Sequence, residues 1–159
     1  MSTLFILLII YQIKHFLADY PLQGKYMLGK FKPYPDFIKP LLAHAAVHGA
    51  FTFAIAICLK PLVIALGLAA LDMGIHFLVD RVKASPKMLG RFKAVSANEM
   101  RQIMENAEYF KEYPYSNTTK QTQAQDQKKL RDNVLFWWSL GADQMAHHLT
   151  HYLIIWCLL

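Results

Sequence analysis

Charged residues and cysteines are scarce in this chain of 159 residues. Only 18% of the residues are charged and 55% are hydrophobic, a balance that excludes a disordered protein and a coiled coil. The two cysteines, Cys58 and Cys157, have neither CxxC nor Cys-His spacing, which excludes a zinc knuckle and a redox motif. We expect both thiols to be buried and inert. No Ser or Cys stands in a nucleophile motif, which argues against covalent catalysis.

The cations are confined to two parts of the chain. The sequence has 17 Lys and Arg residues against 11 Asp and Glu residues. Fifteen of the 17 cations lie within residues 20–39 or 81–131, and only Lys14 and Lys60 lie elsewhere. Cations restricted to connections between apolar stretches follow the positive-inside rule, whereas a nucleic-acid-binding surface usually forms a stripe along one helix. The charge pattern therefore indicates a lipid bilayer as partner and no nucleic acid.

Four apolar stretches predict four helices that cross a membrane. They cover residues 3–18, 41–59, 62–79 and 134–159. The Lys-Pro pair at residues 60–61 predicts a tight helical hairpin, and the Phe-Trp-Trp sequence at residues 136–138 is typical of an aromatic belt. The expected fold is all-α: an integral membrane four-helix bundle in which residues 1–159 form a single membrane domain.

The cations also predict the topology. Because successive spans alternate in direction, the connections 20–39 and 84–133 lie on one side, and the Lys60 turn and both termini lie on the other. The positive-inside rule makes the two connections cytoplasmic. We therefore expect a multi-pass protein of the inner membrane with both termini outside. Within the second connection, apolar residues at three- and four-residue spacing predict a short amphipathic helix near residues 98–110.

Histidine and aspartate recur at four-residue spacing in every predicted span. Six of the seven histidines stand four residues from another His or an Asp. The sets are His15/Asp19, His44/His48, Asp72/His76/Asp80 and Asp143/His147/His151. Four residues advance a helix by about 400°, so the members of each set lie on one face. His148 is rotated by about 100° from its neighbours, and we expect it to pack or to orient a ligand.

These four stripes predict a metal site, because imidazole and carboxylate groups without thiolate suit Zn best, with Mn or Fe as alternatives. Ten candidates exceed the roughly four to six positions around one ion, so we expect one or two divalent ions. The predicted ligands are His15, Asp19, His44, His48, His76, Asp80, His147 and His151. Asp72 and Asp143 are the candidates for a catalytic general base. A proton relay or a helix-packing clamp is the alternative explanation of such pairs.

Several cations flank the stripes. Lys14, Arg81, Lys83 and Arg91 are candidate substrate-binding residues, which would attract a phosphorylated or lipid-like substrate to the site. Anchoring in anionic lipid headgroups explains the same cations, and the sequence favours anchoring.

Four motifs carry a resemblance to a known family. The segments are HFLADYPLQ (15–23), HAAVH (44–48), IHFLVDRVKASPKMLGRF (75–92) and FWWSLGADQMAHHLTHY (136–152). Together they resemble the domain of unknown function 3307 family, small integral membrane proteins of bacteria and phages. That family is similar, more distantly, to membrane-bound metal-dependent hydrolases, so the resemblance implies a metal site without a defined reaction. It marks the same residues as the spacing, with His151 as an extension of the last motif.

Three functions fit this pattern. The first is a metal-dependent hydrolase that acts on a phosphoester or acyl ester at the inner leaflet. The second is a di-iron oxygenase similar to a desaturase, because HAAVH and HHLTH superficially resemble histidine boxes. The third is a non-enzymatic phage or bacterial accessory protein with a structural metal or a proton relay. A conduit needs polar residues in both leaflets, whereas residues 3–10, 51–59 and 62–71 are almost wholly apolar.

Overall fold

A computed structural model describes residues 2–85, 88–89, 92 and 132–159 of the chain. Among these residues every regular element is helical and no strand occurs, which confirms the all-α prediction. The elements are α1 (Thr3–Asp19), a short 3₁₀ helix (Met27–Phe31), α2 (Ile38–Ala56), α3 (Leu62–Ala84) and α4 (Val134–Leu158). The amphipathic helix predicted near residues 98–110 lies outside the described residues.

Helices α2 and α3 have different bounds from those predicted. Helix α2 begins at Ile38, three residues before the predicted start, because Pro40 lies in its first turn, where a missing N–H breaks no helical hydrogen bond. It ends at Ala56, and the turn that follows leads to Pro61, which directly precedes α3. Helix α3 continues to Ala84 and therefore includes Asp80 well before its end.

Gly49 allows α2 and α3 to approach each other closely. A Cβ atom at this position would lie 3.0 Å from the Ala69 carbonyl oxygen and 3.1 Å from Met73 Cβ. By contrast, a Cβ atom at Gly74 on α3 would meet no atom within 4 Å. The close α2–α3 contact at Gly49 lies one residue after His48, so it holds the polar stripes of the two helices side by side.

The chain divides into two compact units, Met1–Ser85 with Asp143–Leu159, and Pro86–Ala142. In the first unit, an apolar core joins Leu7 near the start of α1, Ala56 at the end of α2, Leu68 in the first turns of α3 and Ile154 near the end of α4. Starts of α1 and α3 thus meet ends of α2 and α4, so consecutive helices run in opposite directions. In the second unit, Ser139 Oγ donates hydrogen bonds to the carbonyl oxygens of Phe136 and Phe92.

Apolar side chains cover the outside of the helices, and polar side chains lie inside. On α3, Leu62, Val63 and Leu78 are exposed, whereas Asp72 and His76 are completely buried. Helices α1 and α4 have the same arrangement, with exposed isoleucines, leucines and aromatic residues outside and lysine, aspartate and histidine inside. Cys58 and Cys157 are free and exposed on this apolar outside, so the prediction that they are buried is wrong.

Of the helices that the structure describes, α2 and α3 are long and apolar enough to cross a membrane, so two of the four predicted spans are found as candidate spans and the other two only as helices. At 1.5 Å per residue, α2 is about 28 Å long and α3 about 34 Å, close to the roughly 30 Å of a hydrocarbon core.

Candidate metal centre

All ten histidines and aspartates of the four predicted stripes meet inside the first unit. They form four groups, three of which are linked by shared histidines, and within each group the potential ligand atoms lie within 4.8 Å of one another. The groups are His15/His48/His76, Asp19/His44/His48, Asp72/His76/His151 and Asp80/Asp143/His147. All ten are buried except Asp19, whose side chain is 19% exposed. We call the end of this cluster that includes partly exposed side chains the outer end, and it consists of Asp19, His44, Asp80, Asp143 and His147. We call the closed end the inner end, and it consists of Asp72, His76 and His151 with their neighbours Lys14 and Thr52.

Asp80 is the central carboxylate of the outer end. Its Oδ2 lies 3.0 Å from His44 Nε2 on α2, and its Oδ1 lies 3.5 Å from His147 Nε2 on α4. Lys30, on the 3₁₀ helix, donates to the same Oδ2 at 2.9 Å and to Gln23 Oε1 at 3.0 Å. One side chain of α3 therefore connects α2, α4 and the connection between α1 and α2.

Asp19 closes the outer end from α1. Its Oδ1 accepts a hydrogen bond from His48 Nε2 at 3.0 Å and lies 3.4 Å from His44 Nε2. Its Oδ2 lies 3.2 Å from His15 Nε2, one helical turn earlier. The predicted α1 and α2 stripes therefore face each other, because Asp19 Oδ1 lies against two histidines of α2.

Asp143 brings α4 to the outer end. Its Oδ2 accepts hydrogen bonds from Lys83 Nζ at 2.5 Å and from Gln144 Nε2 at 3.1 Å, and its Oδ1 lies 3.6 Å from His147 Nε2. The Lys83 side chain is 30% exposed, whereas that of Asp143 is 4% exposed. This is where the cluster approaches the protein surface.

The inner end is fully closed. Asp72 Oδ2 accepts hydrogen bonds from Lys14 Nζ at 2.5 Å and from Thr52 Oγ1 at 2.6 Å. Lys14 Nζ also lies 3.2 Å from His151 Nε2. The Lys14 and Asp72 side chains are 1% and 0% exposed, so this ion pair has no contact with solvent.

His76 lies at the centre of the cluster with a defined orientation. Its Nδ1 is 3.1 Å from the backbone carbonyl oxygen of Asp72, and since a carbonyl can only accept, Nδ1 carries the proton. The lone pair of the neutral ring is then on Nε2, which is buried and has no hydrogen-bond partner among the described residues. The His76 ring stacks between those of His48 and His147, at centroid distances of 3.7 and 4.2 Å.

Other imidazole nitrogens of the cluster are equally unpartnered. Among the described residues, ten buried side-chain polar atoms have no hydrogen-bond partner, and nine of them belong to the cluster's histidines and aspartates. They include the Nδ1 atoms of His15, His44, His48, His147 and His151. Buried polar atoms in folded proteins are almost always partnered, so such a concentration points to a ligand at this place.

The comparison with protein families agrees with the motifs. The family model described as protein of unknown function (DUF3307) matches residues 4–158. The chain belongs to this family. A search of curated proteins and a search of solved structures each found no match. The family description names no activity, so the function of this DUF3307 chain has to be argued from its buried cluster.

The predicted substrate-binding cations of the DUF3307 chain have three different positions. Lys14 and Lys83 are ion-pair partners of Asp72 and Asp143 within the cluster. Arg81 points away from it: its guanidinium lies 3.5 Å from the centroid of the Phe37 ring, and it donates to the Lys32 carbonyl oxygen. Arg91 lies outside the described residues. His148 belongs to none of the four groups, and its Nδ1 lies 3.2 Å from Gln12 Nε2.

Sequence reasoning missed the polar residues that support the cluster. Lys30 is buried beside Asp80, Thr52 donates to Asp72, and Gln144 Oε1 lies 3.0 Å from His15 Nε2. Thr52 follows His48 by four residues, so the same spacing could have identified it. Lys30 had no such signal, because it lies on a five-residue 3₁₀ helix whose Gly29 fits directly against Pro40.

Proposed function

We propose that the protein is a multi-pass membrane protein whose buried cluster binds a divalent metal ion and hydrolyses a phosphoester or acyl ester at the inner leaflet. The observation that carries the proposal is the group of buried histidines and aspartates whose polar atoms have no hydrogen-bond partner among the described residues. At the outer end these atoms include both ring nitrogens of His44, and Nε2 of that ring faces the carboxylates of Asp19 and Asp80.

The distribution of polarity supports a membrane location. Water would disfavour an outside of leucine, isoleucine and phenylalanine around an inside of aspartate, lysine and histidine, whereas lipid favours it. Helices α1 and α4 have similarly apolar outer faces, so we include them as spans beside α2 and α3. The alternating helix directions and the cations of residues 20–39 and 84–133 support both connections in the cytoplasm and both termini outside.

The outer end fits the metal best. Its carboxylate oxygens lie 3.0–3.6 Å from the nitrogens of His44 and His147. Zinc-to-ligand distances of about 2.0–2.2 Å in a tetrahedron give ligand separations of about 3.4 Å. These separations link Asp19 to His44, His44 to Asp80 and Asp80 to His147, so we propose these four residues as the ligands, with zinc as the best match and manganese or iron as alternatives.

Charge balance supports a cation and an anionic substrate. Asp19, Asp72, Asp80 and Asp143 face Lys14, Lys30 and Lys83, so with neutral imidazoles the cluster has one net negative charge. One divalent ion would reverse that charge to one net positive. A phosphodiester monoanion would neutralise it, whereas a neutral acyl ester would not. We therefore favour a phosphoester over an acyl ester.

The chain's own residues have distinct parts in this reaction. A bound divalent ion would supply Lewis acidity, which polarises the ester and makes water a better nucleophile. Asp143 is the better general base of the two candidates, because it lies at the outer end near the partly exposed Lys83. Lys83 holds Asp143 in position and offers a positive charge to the phosphate. Asp72 is enclosed at the inner end and acts on His76 and Lys14.

A second function is favoured by the three lysine–aspartate pairs themselves. Lys14–Asp72, Lys30–Asp80 and Lys83–Asp143 partly neutralise the cluster without any metal, as a helix-packing clamp in a non-enzymatic accessory protein would. A di-iron oxygenase is less compatible, because it needs two cation positions and Lys14 lies among the ligands of the inner end.

Metal content separates these functions. Protein purified in detergent without chelator should contain zinc, manganese or iron, and should hydrolyse a chromogenic phosphodiester only when the metal is present. His44→Ala should lose both properties, whereas the matched variant His148→Ala should keep them, because His148 lies outside the ligand groups. Protein that contains no transition metal and takes up none on titration would refute the hydrolase and leave the packing clamp.

Topology is tested with single cysteines. In a Cys58→Ser/Cys157→Ser background, Lys25→Cys should react with an impermeant thiol reagent only from the cytoplasmic side. Lys60→Cys should react only from the outer side. Labelling of both positions from the same side would refute the four-span arrangement.

A further inference from the structure

Lys14 lies where a second metal ion would bind. Asp72, His76 and His151 form one of the four potential ligand groups, with ligand atoms within 4.8 Å of one another. The Lys14 ammonium is 2.5 Å from Asp72 Oδ2 and 3.2 Å from His151 Nε2, so it contacts two of these three residues. It is 1% exposed, and it is held there from α1 against α3 and α4.

The other two lysines leave their carboxylates available. Lys30 and Lys83 contact the Oδ2 atoms of Asp80 and Asp143, whose Oδ1 atoms lie 3.5 and 3.6 Å from His147 Nε2. Lys14 differs because it contacts an imidazole of its ligand group as well as the carboxylate. Asp72 Oδ2 accepts hydrogen bonds from Lys14 and Thr52, whereas Oδ1 lies 3.0 Å from His76 Nδ1 without a hydrogen-bond partner among the described residues.

A metal ion and the Lys14 ammonium cannot share the inner end. Two cations a few ångströms apart in a region closed to water repel each other strongly, because no solvent screens the charges. The same lone pairs of Asp72 and His151 would also have to serve both cations. Because the ammonium is attached to the chain at a fixed position, it has an advantage over a free metal ion in binding to Asp72 and His151.

We propose that the Lys14 ammonium is a built-in cation that occupies the inner metal position and limits the protein to one divalent ion, bound at the outer end. This inference rests on the proposed metal binding, and it adds the number of metal ions that the protein binds and the reason for that number. Removal of the ammonium with retention of the Asp72 carboxylate should open a second metal site that the natural protein does not offer.

The test is zinc stoichiometry by elemental analysis after saturation and desalting of the detergent-solubilised full chain. We expect one equivalent in the natural protein and two in Lys14→Met. Lys14→Met/Asp72→Asn should return to one equivalent, because the inner end then has no carboxylate. Lys60→Met is the matched control for loss of a lysine, and it should keep one equivalent.

Each result decides the inference. Two equivalents in the natural protein, or one equivalent in a folded Lys14→Met variant, would overturn it while metal binding itself stands. No zinc in any variant would refute the proposed metal function and the inference with it. If Lys14→Met does not fold, Lys14→Gln retains the length and polarity of the side chain without its charge, and it should likewise bind two equivalents.

Discussion

The two ends of the buried cluster are built from the same residue types but differ in closure. At the outer end, Asp19 and the lysine partner of Asp143 reach solvent, with side chains 19% and 30% exposed. At the inner end, Asp72, His76 and His151 are completely buried, and Lys14 is 1% exposed. The outer end therefore borders solvent, whereas the inner end is closed to it.

This difference indicates how a small bundle can combine stability with a reactive site. The apolar core beyond the inner end, which includes Leu7, Ala56 and Ile154, closes the bundle on that side. Polar groups inside the first unit thus approach solvent from one side only, which is what the proposed substrate site requires. Variants that affect only one end should separate binding from stability.

The largest effect is expected at the outer end from Asp80→Asn. Asp80 contacts His44, His147 and Lys30, so its neutralisation removes a metal ligand and leaves the buried Lys30 ammonium without its carboxylate. We expect metal affinity to fall by about 100-fold or more and the free energy of unfolding by about 3–5 kcal/mol. Chelator competition and chemical denaturation measure the two quantities. The exposed control Asp36→Asn should change neither, and an unchanged affinity in Asp80→Asn would remove Asp80 from the ligand set.

Two single substitutions, one at each end of the cluster, compare the ends directly in metal-free protein. Lys14→Met leaves Asp72 buried and unpaired and should lower the free energy of unfolding by about 3–5 kcal/mol. Lys83→Met leaves Asp143 buried, but Asp143 keeps its hydrogen bond from Gln144 and lies beside a position that solvent reaches, so the cost should be smaller, about 1–3 kcal/mol. Zinc should restore part of the stability of Lys14→Met. Equal losses in the two variants would show that the ends do not differ in closure.

Gly49→Ala should loosen the α2–α3 contact on which both ends depend. The added methyl group would lie 3.0 Å from the Ala69 carbonyl oxygen and separate the helices, at a cost of about 1–3 kcal/mol. Gly74→Ala is the matched control on α3, where the methyl group meets nothing within 4 Å and alanine favours the helix. Thermal unfolding of the two variants should therefore shift in opposite directions, and a stable Gly49→Ala would contradict the close contact.

Thr52→Val at the inner end should have an effect similar in size to that of Gly49→Ala. It removes the hydroxyl that donates to Asp72 at 2.6 Å, and a hydrogen bond to a charged group contributes about 1.5–3 kcal/mol. Thr150→Val is the control, because Thr150 donates only to the Ala146 carbonyl one turn earlier, a bond of little value to stability. If the two variants lose the same stability, the Thr52 hydrogen bond does not support the inner end.

Much of the cluster could be predicted from the local spacing of residues, whereas the contacts between different helices could not. The four-residue spacing of Asp72, His76 and Asp80 identifies one helix face without knowledge of any neighbour. The contact of Lys30 with Asp80 joins residues 50 positions apart, and only the packing of Gly29 on Pro40 brings them together. Lys14 was predicted to lie near a substrate, but its neighbour Asp72 lies on another helix, which the sequence pattern of α1 does not reveal.

The burial of the cysteines was predicted wrongly for a physical reason. An apolar neighbourhood in sequence indicates burial in a protein surrounded by water, but here apolar residues form the outside of the helices. The same reversal applies to α1 and α4, which we propose as further spans. The inward lysines, aspartates and histidines of these two helices lower their overall hydropathy, although their outward faces are apolar like that of α3.

X-ray absorption spectroscopy at the zinc edge tests the central claim most directly, because it identifies the atoms that bind the metal. For the zinc-loaded natural protein we predict one class of site, with about four nitrogen and oxygen ligands at about 2.0–2.2 Å and imidazole scattering from at least two histidines. The spectrum of His148→Ala should be identical, whereas zinc that is bound to His44→Ala at excess metal should show weaker imidazole scattering. Sulfur ligands from Cys58 or Cys157, or a spectrum of zinc surrounded only by water, would contradict a metal centre built from the four helices.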